Sequence, residues 1–323
     1  MIVASAPTRL DFGGGWTDVP PYPEERGGFV CNLAIERRAT VRLDVAADRG
    51  TLARAAPADR FIADPLIAAA LRRAGLPGAA VTLTSDFPIG AGLGGSSAAG
   101  VALQAALAAA RGERPSAQSL AEASRATEVD ELGIAGGFQD HYAAAYGGAL
   151  GLTLGAARHV EHIPLTSAAI AALEARLCVV YTGESRISAE TITAVLEAYR
   201  ERVPRVVSAL DRMRDLARGM AEALQAGTVS DLAALVDEHW VHQQSLHPAI
   251  TTPRIAAIER AVRGAGATGF KALGASGGGC VLVLAPVGAM PAVRTAAAAL
   301  GEVLTWRVAT SGVIVSLADA SVD

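Results

Sequence analysis

A glycine-rich segment directly before an apolar helical run is the strongest chemical signal in this sequence. It runs from Pro88 to Ala98 as Pro-Ile-Gly-Ala-Gly-Leu-Gly-Gly-Ser-Ser-Ala, and the run that follows predicts a helix over 98–111. Glycines let backbone amides approach an anion closely, and a helix start adds unpaired N–H groups and the positive end of the helix dipole. The segment, which we call the Gly-Ser loop, is therefore predicted to hold nucleotide phosphates.

Three other kinds of structure could give the sequence pattern of the Gly-Ser loop. It could be a structural turn closed by a serine N-cap. Gly90, Gly92 and Gly95 also satisfy the GxGxxG spacing of a dinucleotide site, but the acidic residue expected about 20 residues later would fall in a polar loop without a preceding strand. A Walker-type loop needs Gly-Lys-Ser/Thr, whereas Lys271 is followed by alanine. A phosphate loop of another type is the favoured interpretation.

Two carboxylates follow the loop on consecutive predicted helices. Glu128 and Asp140 are twelve residues apart, on helices predicted over 119–132 and 139–146 with a glycine break between them. Phosphoryl transfer needs a metal ion that bridges the terminal phosphates and a group that positions the nucleophile. The structural alternatives are a solvated helix carboxylate for Glu128 and an acidic helix start for Asp140.

The elements that must position these residues form an α+β pattern of two predicted domains. Alternating apolar residues predict strands over 2–12, 29–45, 81–85 and 177–182, with further strands near Cys280 and Val313. Long helices are predicted up to Gln225 and over 229–244. The pattern changes between Gly151 and Ile163, and we place the domains at 1–155 and 156–323.

Composition excludes several classes of function. The 323 residues are 51% hydrophobic and carry a net charge of −4, which argues against nucleic-acid binding. An apolar run of the roughly 20 residues that a bilayer span needs is missing, and the N-terminus does not resemble a signal peptide. The three cysteines are too few and too scattered for a disulfide framework or a zinc site. We therefore expect a cytoplasmic protein with a small polar ligand.

Three motifs together resemble the GHMP kinase superfamily, which includes galactokinase, homoserine kinase and mevalonate kinase. They are Ala6–Asp18 (Ala-Pro-Thr-Arg-Leu-Asp-Phe-Gly-Gly-Gly-Trp-Thr-Asp), the Gly-Ser loop, and Lys271–Gly279 (Lys-Ala-Leu-Gly-Ala-Ser-Gly-Gly-Gly). The loop departs from the family pattern at Gly95, where many members have serine. The resemblance implies a ribosomal-protein-like N-terminal α/β domain and a ferredoxin-like C-terminal domain, with ATP and sugar in the cleft between them.

The resemblance also implies roles for individual residues. Asp140 would accept the proton of the substrate hydroxyl, and Arg9 would steady Asp140 or the transferring charge. Mg²⁺ would bind Glu128 and either Ser96 or Ser97, of which Ser96 is favoured. The ATP phosphates would contact Gly90, Gly92, Leu93, Gly94, Gly95, Ser96 and Ser97. The sugar would contact Asp18, Thr17, Gly14, Gly277 and Arg186.

Motif details point to kinases of the anomeric hydroxyl. The segment 14–21 resembles fucokinases, whereas 22–28, 136–140 and 181–188 resemble D-glycero-D-manno-heptose 7-phosphate kinases. We expect a higher-carbon aldose phosphate as substrate, with L-fucose-type 1-kinase activity and a catalytically inactive sugar or nucleotide sensor as alternatives. A second phosphate would need an arginine site, for which Arg26, Arg37 and Arg186 are candidates. A homodimer is left open.

Overall fold

The computed structural model describes residues 1–45, 64–76, 78–184 and 189–317. Within these ranges the chain forms two antiparallel sheets with helices packed against them. The α+β class predicted from the sequence is confirmed.

The first sheet is built around one long strand. Its strands in chain order are β1 (Ile2–Gly13), β2 (Gly28–Asp44), β3 (Ala80–Ser85), β4 (Ala149–Leu154), β5 (His159–Ile163) and β10 (Ile314–Leu317). Because β2 is 17 residues long, its first part pairs with β4 and its second part with β3, while β1 runs along its other edge. The register places Asp11 opposite Asn32 and shifts directly afterwards, before Gly13. This irregularity lies where the first motif leaves the sheet.

Helices cover the first sheet and carry the two predicted carboxylates. They are α1 (Tyr22–Arg26), α2 (Asp64–Arg73), α3 (Gly95–Ala110), α4 (Ala117–Arg125) and α5 (Gln139–Tyr146). Alanine dominates α3, whose small side chains let the helix lie close to the sheet, and most of them are buried. The helix predicted over 119–132 is split, because α4 passes into a π-helical turn at Ala126–Glu131. Such turns are rare and often mark functional sites.

The second sheet has the order β7-β8-β6-β9. Its strands are β6 (Leu177–Tyr181), β7 (Gly269–Ala272), β8 (Cys280–Leu284) and β9 (Glu302–Leu304). The helices of this half are α6 (Ser167–Arg176), α7 (Ala189–Arg200), α8 (Pro204–Ala226), α9 (Val229–Leu246), α10 (Pro253–Gly264) and α11 (Met290–Ala298), with a 3₁₀ turn at Pro248–Ile250.

The second sheet is buried on both faces. Along β8, Leu282 and Leu284 belong to a core that is shared with the first sheet, whereas Val281 and Val283 pack with α10 and α11. An uninterrupted apolar strand is the sequence signature of this arrangement. The glycine-rich turn between β7 and β8 is therefore anchored at the end of a rigid sheet.

The chain crosses between the two sheets more than once. β5 and β10 both follow residue 155 and yet belong to the first sheet. The division into 1–155 and 156–323 stays a prediction, and the first sheet contains strands from both sides of it. In the part of the chain that the structure describes, no helix has the length and apolar character needed to cross a membrane.

Candidate active site

The Gly-Ser loop leads into a helix start that carries no side-chain cap. α3 begins at Gly95, three residues earlier than predicted, so Ser96 and Ser97 lie in its first turn. The preceding Gly94 has a φ of 75°, and no acidic residue follows in the first turn. The serine-capped turn considered from the sequence is therefore not what this segment forms. Its leading amides and positive dipole end are free of side-chain competition, as an anion site requires.

The third motif packs directly on the Gly-Ser loop. The Cys280 amide donates to the Ala91 carbonyl at 2.7 Å. Gly92 has a φ of 71°, and a Cβ added there would lie 2.7 Å from the Leu273 carbonyl oxygen. Only glycine fits this conformation and this approach without strain. Gly92 and Leu273, which are 181 positions apart in the chain, thus lie on one surface.

Arg9 joins the loop to Asp140. Its Nε donates to Asp140 Oδ1 at 2.8 Å, and one terminal nitrogen donates to the Gly92 carbonyl at 2.6 Å. The backbone amide of Arg9 donates to the Leu93 carbonyl at 3.0 Å. The Arg9 side chain is 4% exposed and that of Asp140 is 28% exposed. Asp140 is therefore oriented from behind by a buried guanidinium and keeps an accessible side.

Glu128 faces the serines at the start of α3. Ser96 Oγ donates to its Oε1 at 2.8 Å, and Ser97 Oγ donates to its Oε2 at 3.2 Å. Burial raises the pKa of the Glu128 carboxyl, and the Ser96 hydrogen bond opposes that shift. The π-helical turn aims Glu128 at α3. The sequence-predicted pair Ser96 and Glu128 is thus in direct contact.

His141 is a site residue that the sequence analysis missed. Its Nε2 lies 3.2 Å from Glu128 Oε2 and 3.3 Å from Ser97 Oγ, and its Nδ1 lies 2.9 Å from Ser124 Oγ. Burial lowers the pKa of the ring to about 3, so it is neutral at physiological pH. A neutral ring that donates from Nε2 and accepts Ser124 at Nδ1 satisfies these neighbours. Its place next to Asp140 in the sequence was the available signal.

The Asp18 side chain contacts the start of α5. Its Oδ2 accepts the backbone amides of Phe138 at 2.8 Å and Gln139 at 3.0 Å. Burial raises the Asp18 pKa to about 6, and the charges of Asp140 and Asp11 act in the same direction. Asp140 lies in the first turn of α5, as the helix-start alternative expected, but the hydrogen bonds from the leading amides go to Asp18. One carboxylate oxygen is committed to the fold, and the residue still lies beside Asp140.

Gly14 and Thr17 hold the turn that carries Asp18. The Thr17 hydroxyl is buried and donates to the Gly14 carbonyl at 2.7 Å. The Gly14 amide donates to His239 Nε2 at 3.0 Å, and its φ of 84° favours glycine. Burial lowers the pKa of His239 well below its ordinary value, so the ring is a neutral acceptor. As substrate contacts Gly14 and Thr17 stay predictions, whereas their support of the Asp18 turn is seen directly.

A buried ion pair ties the third motif to the first. Lys271 Nζ donates to Asp11 Oδ2 at 2.9 Å and to the Asp11 carbonyl at 2.8 Å. The side chains are 0% and 2% exposed. Burial lowers the Lys271 pKa, while the Asp11 charge opposes that shift. Lys271 is the chain's single lysine, which was the only sequence signal for this contact.

The remaining predicted contacts are placed differently. The Gly277 amide donates to the Ile250 carbonyl at 3.0 Å, and Arg186 lies outside the described residues. Arg26 forms a two-pronged pair with Asp211, at 2.9 and 2.6 Å. Arg37 donates to the Thr305 carbonyl, the Thr305 hydroxyl and the Asp86 carbonyl. The guanidinium groups of Arg26 and Arg37 therefore have partners within the fold, and as phosphate ligands both stay predictions.

The donor set fits ATP and Mg²⁺. The start of α3 offers uncapped amides, and Ser96 with Glu128 offers the oxygen ligands that Mg²⁺ prefers. The described residues contain no group of three or more His, Cys, Asp or Glu side chains arranged for a metal ion. Mg²⁺ bound through one or two protein oxygens and substrate phosphates does not need such a group.

Comparison with known proteins identifies the family. The family GHMP kinases N terminal domain matches residues 61–148, and GHMP kinases C terminal matches 220–302. These two matches cover more than half of the chain, which belongs to the GHMP kinase superfamily. The resemblance seen in the three motifs is confirmed.

Two kinds of curated relative are similar in sequence. The bifunctional fucokinase/GDP-fucose pyrophosphorylase of Arabidopsis thaliana is 28% identical over 310 residues, which cover 86% of this chain and 29% of that protein. Mevalonate kinase of Pyrococcus furiosus is 29% identical over 214 residues, which cover 65% of this chain and 60% of that enzyme. The match thus spans less than two thirds of the length of either relative.

Solved structures share the fold over nearly the whole chain. A D-glycero-D-manno-heptose 1-phosphate kinase from Bacteroides thetaiotaomicron has a TM-score of 0.78 at 21% identity, with 99% of this chain and 100% of that chain covered. Galactokinase of Lactococcus lactis complexed with galactose has a TM-score of 0.71 at 17% identity, with 97% and 95% covered. These similarities establish the two-domain architecture.

Proposed function

We propose that the protein is an ATP-dependent kinase that phosphorylates the anomeric hydroxyl of a sugar, for nucleotide-sugar synthesis. The first candidate substrate is a higher-carbon aldose phosphate such as D-glycero-D-manno-heptose 7-phosphate. Membership in a kinase superfamily supports the reaction type, and the fucokinase relative supports a sugar as acceptor. The similarity in fold to the heptose kinase supports the choice of candidate.

One observation carries the proposal: a helix start suited to phosphates lies beside an oriented carboxylate. Gly92 and Leu93 of the loop accept hydrogen bonds from Arg9, and the same Arg9 side chain holds Asp140 at 2.8 Å. Glu128 contacts the serines of that helix start. A nucleotide phosphate and an acceptor hydroxyl would therefore meet between α3 and α5.

In this mechanism the loop amides and the α3 dipole bind the ATP phosphates. Ser96 and Glu128 would hold Mg²⁺, which would neutralise charge on the terminal phosphates. His141 keeps Ser97 and Glu128 in place. Asp140 accepts the proton of the anomeric hydroxyl on its accessible side, and Arg9 keeps that carboxylate oriented. Asp18 binds sugar hydroxyls, which a buried carboxylate discriminates strongly from analogues that lack them.

The test is incubation of the protein with ATP, Mg²⁺ and a panel of sugars. The panel contains D-glycero-D-manno-heptose 7-phosphate, the unphosphorylated heptose, L-fucose and galactose, with mevalonate as the acceptor of the other relatives. We expect ADP release that depends on the heptose phosphate, and phosphorus NMR that shows a new anomeric phosphate. A product phosphorylated elsewhere, or turnover of mevalonate alone, would contradict the proposal.

L-fucose 1-kinase activity is the second candidate. The fucokinase relatives from Arabidopsis thaliana and Bacteroides fragilis align with 86% and 88% of this chain. L-fucose-dependent ADP release in the same assay would favour it. A catalytically inactive sensor would bind nucleotide or sugar without ADP release from any member of the panel. The intact contacts among Ser96, Glu128, Asp140 and Arg9 speak against a sensor.

A further inference from the structure

Two arginines from separate elements converge on one aromatic ring beside the proposed sugar site. The guanidinium carbon of Arg125, at the end of α4, lies 3.9 Å from the centre of the Phe138 ring. That of Arg158, in the turn between β4 and β5, lies 4.9 Å from the same centre. Phe138 is itself buried, and its backbone amide donates to Asp18. Both guanidinium groups thus lie against Phe138, and the backbone amide of Phe138 is hydrogen-bonded to the carboxylate that is proposed to bind the sugar.

The carboxylates nearby do not fully engage these arginines. Arg125 Nε is buried and has no hydrogen-bond partner among the described residues. The Asp130 carboxylate lies 4.0 Å from Arg125, with its side chain 64% exposed. The charges of Asp18 and Glu24 also act on Arg125 from further away. Arg125 is the less compensated of the two, since its own ion pair is long and open to solvent.

Arg158 shares its partner with other donors. Its terminal nitrogen lies 3.3 Å from Glu122 Oε1. The same oxygen accepts the Tyr142 hydroxyl at 3.1 Å and the Gln118 amide at 3.1 Å. Arg158 also has a hydrogen bond with the Tyr142 side chain. Its partners are thus a neutral hydroxyl and one shared carboxylate oxygen, and a phosphate group is a stronger acceptor than either.

We propose that Arg125 and Arg158 form the subsite for the distal phosphate of a sugar phosphate substrate. This inference rests on the proposed sugar kinase function. The guanidinium fork matches phosphate oxygens, and contact with the Phe138 ring holds both groups near it before the ligand arrives. Burial and the neighbouring charge of Arg158 also lower the pKa of Arg125, which indicates a position where positive charge is costly without an anion.

The arrangement also agrees with the motif that first suggested a phosphorylated substrate. Helix α1 forms part of the 22–28 segment, and its Glu24 is close enough to act electrostatically on Arg125. The turn that carries Arg158 approaches the same helix, since a Cβ on Gly155 would lie 3.7 Å from the Pro23 carbonyl oxygen. Arg26 of that helix is paired with Asp211. The segment thus borders the subsite without supplying its arginine.

The experiment compares a phosphorylated and an unphosphorylated form of one sugar. Calorimetry measures the Kd of D-glycero-D-manno-heptose 7-phosphate and of the unphosphorylated heptose for the wild type, Arg125→Gln, Arg158→Gln and the double variant. Arg111→Gln is the matched control, because Arg111 is a surface arginine that pairs with a glutamate as Arg158 does. Steady-state kinetics of the same proteins gives KM for ATP and for each sugar.

We expect each single variant to weaken binding of the heptose phosphate about 10-fold to 100-fold, the range for loss of one charged hydrogen bond. Binding of the unphosphorylated heptose and KM for ATP should stay within about twofold of the wild type, and Arg111→Gln should change neither. If Arg125→Gln does not fold, Arg125→Lys, which keeps the charge but loses the fork, should still show the selective loss.

Three results would overturn the subsite. They are equal weakening for both forms of the sugar, a rise in KM for ATP instead, and wild-type protein with no preference for the phosphorylated form. In each case turnover of any sugar in the panel would leave the proposed kinase function standing. Conversely, selective and arginine-dependent binding of the heptose phosphate without ADP release would keep the subsite and contradict the kinase function.

Discussion

At the scale of single residues, Asp140 has the position that a general base requires. It is held by Arg9 and remains partly accessible. Asp140→Asn should lower kcat by roughly 10²–10⁴, the usual contribution of general base catalysis, while the Kd for ATP stays unchanged. Single-turnover assays with saturating ATP measure the first quantity and nucleotide titration the second. Unchanged turnover would remove Asp140 from this role.

Glu128 should act through the metal ion. Glu128→Gln removes the charge while keeping the size, so the concentration of Mg²⁺ that gives half-maximal activity should rise about tenfold or more, as for the loss of one charged ligand. A Mg²⁺ titration at fixed ATP and sugar measures this shift. Glu113→Gln, on the surface after α3, is the control. A wild-type Mg²⁺ response would contradict the assignment.

Asp18 should give the activity a pH dependence. Its pKa is about 6 in the folded protein, so its charge is lost as pH falls through that value, and KM for the sugar should then rise while KM for ATP does not. Protonation of Asp18 has the opposite effect on stability, because it stabilises the folded state. Because the ordinary pKa is 3.8, the folded state binds this proton more tightly, and the stability contributed by Asp18 falls as pH rises from about 4 to about 6. Asp18→Asn should abolish both effects in kinetic and urea-unfolding profiles.

At the scale of elements, the close approach of two glycine-rich turns should be indispensable. Gly92→Ala combines a positive φ with a Cβ that would lie 2.7 Å from the Leu273 carbonyl oxygen. We expect it to raise KM for ATP and to destabilise the protein by more than the approximately 1–2 kcal/mol that a positive φ alone costs.

Gly112→Ala separates the two causes. Gly112 has a φ of 74°, and nothing lies within 4 Å of the added Cβ. Gly112→Ala should therefore lower the free energy of unfolding only by the cost of the positive φ, and KM for ATP should stay unchanged. Urea unfolding and ATP kinetics of both variants provide the comparison. Equal effects of the two substitutions would show that contact between the turns does not matter.

At the scale of the whole molecule, the Lys271–Asp11 pair connects the second sheet to the first. Both side chains are buried, so removal of one partner leaves an uncompensated charge. Lys271→Met and Asp11→Leu should each destabilise by about 3–5 kcal/mol, whereas the double variant should be less destabilised than the sum of the two. Urea unfolding in a double-mutant cycle measures the coupling. Additive effects would show that the pair contributes no mutual stabilisation.

Local patterns were sufficient for β1, β2 and α5, of which β1 carries Arg9 and α5 carries Asp140. The alternation over 2–12 and 29–45 predicted β1 and β2, and the helix predicted over 139–146 has the observed bounds. These segments are long or strongly periodic, so neighbouring residues fix their conformation. Several other elements were not predicted, because most are short and gain their stability from packing. They are the strands β4, β5, β7 and β9 and the helices α1, α2, α6 and α10.

The kinase superfamily could be recognised from the sequence, and the Gly-Ser loop and the carboxylates Asp18, Glu128 and Asp140 could be named as candidate site residues. Glycines, hydroxyls and acids at fixed spacing express a local chemical requirement that survives without knowledge of the fold. The contact partners of these residues could be read only from the tertiary structure. Arg9 and Asp140 are in contact although they are 131 positions apart in the chain, and Lys271 and Asp11 are 260 positions apart. His141 contacts Glu128. Such contacts depend on which helices and strands pack together, and the local sequence around each residue does not specify that packing.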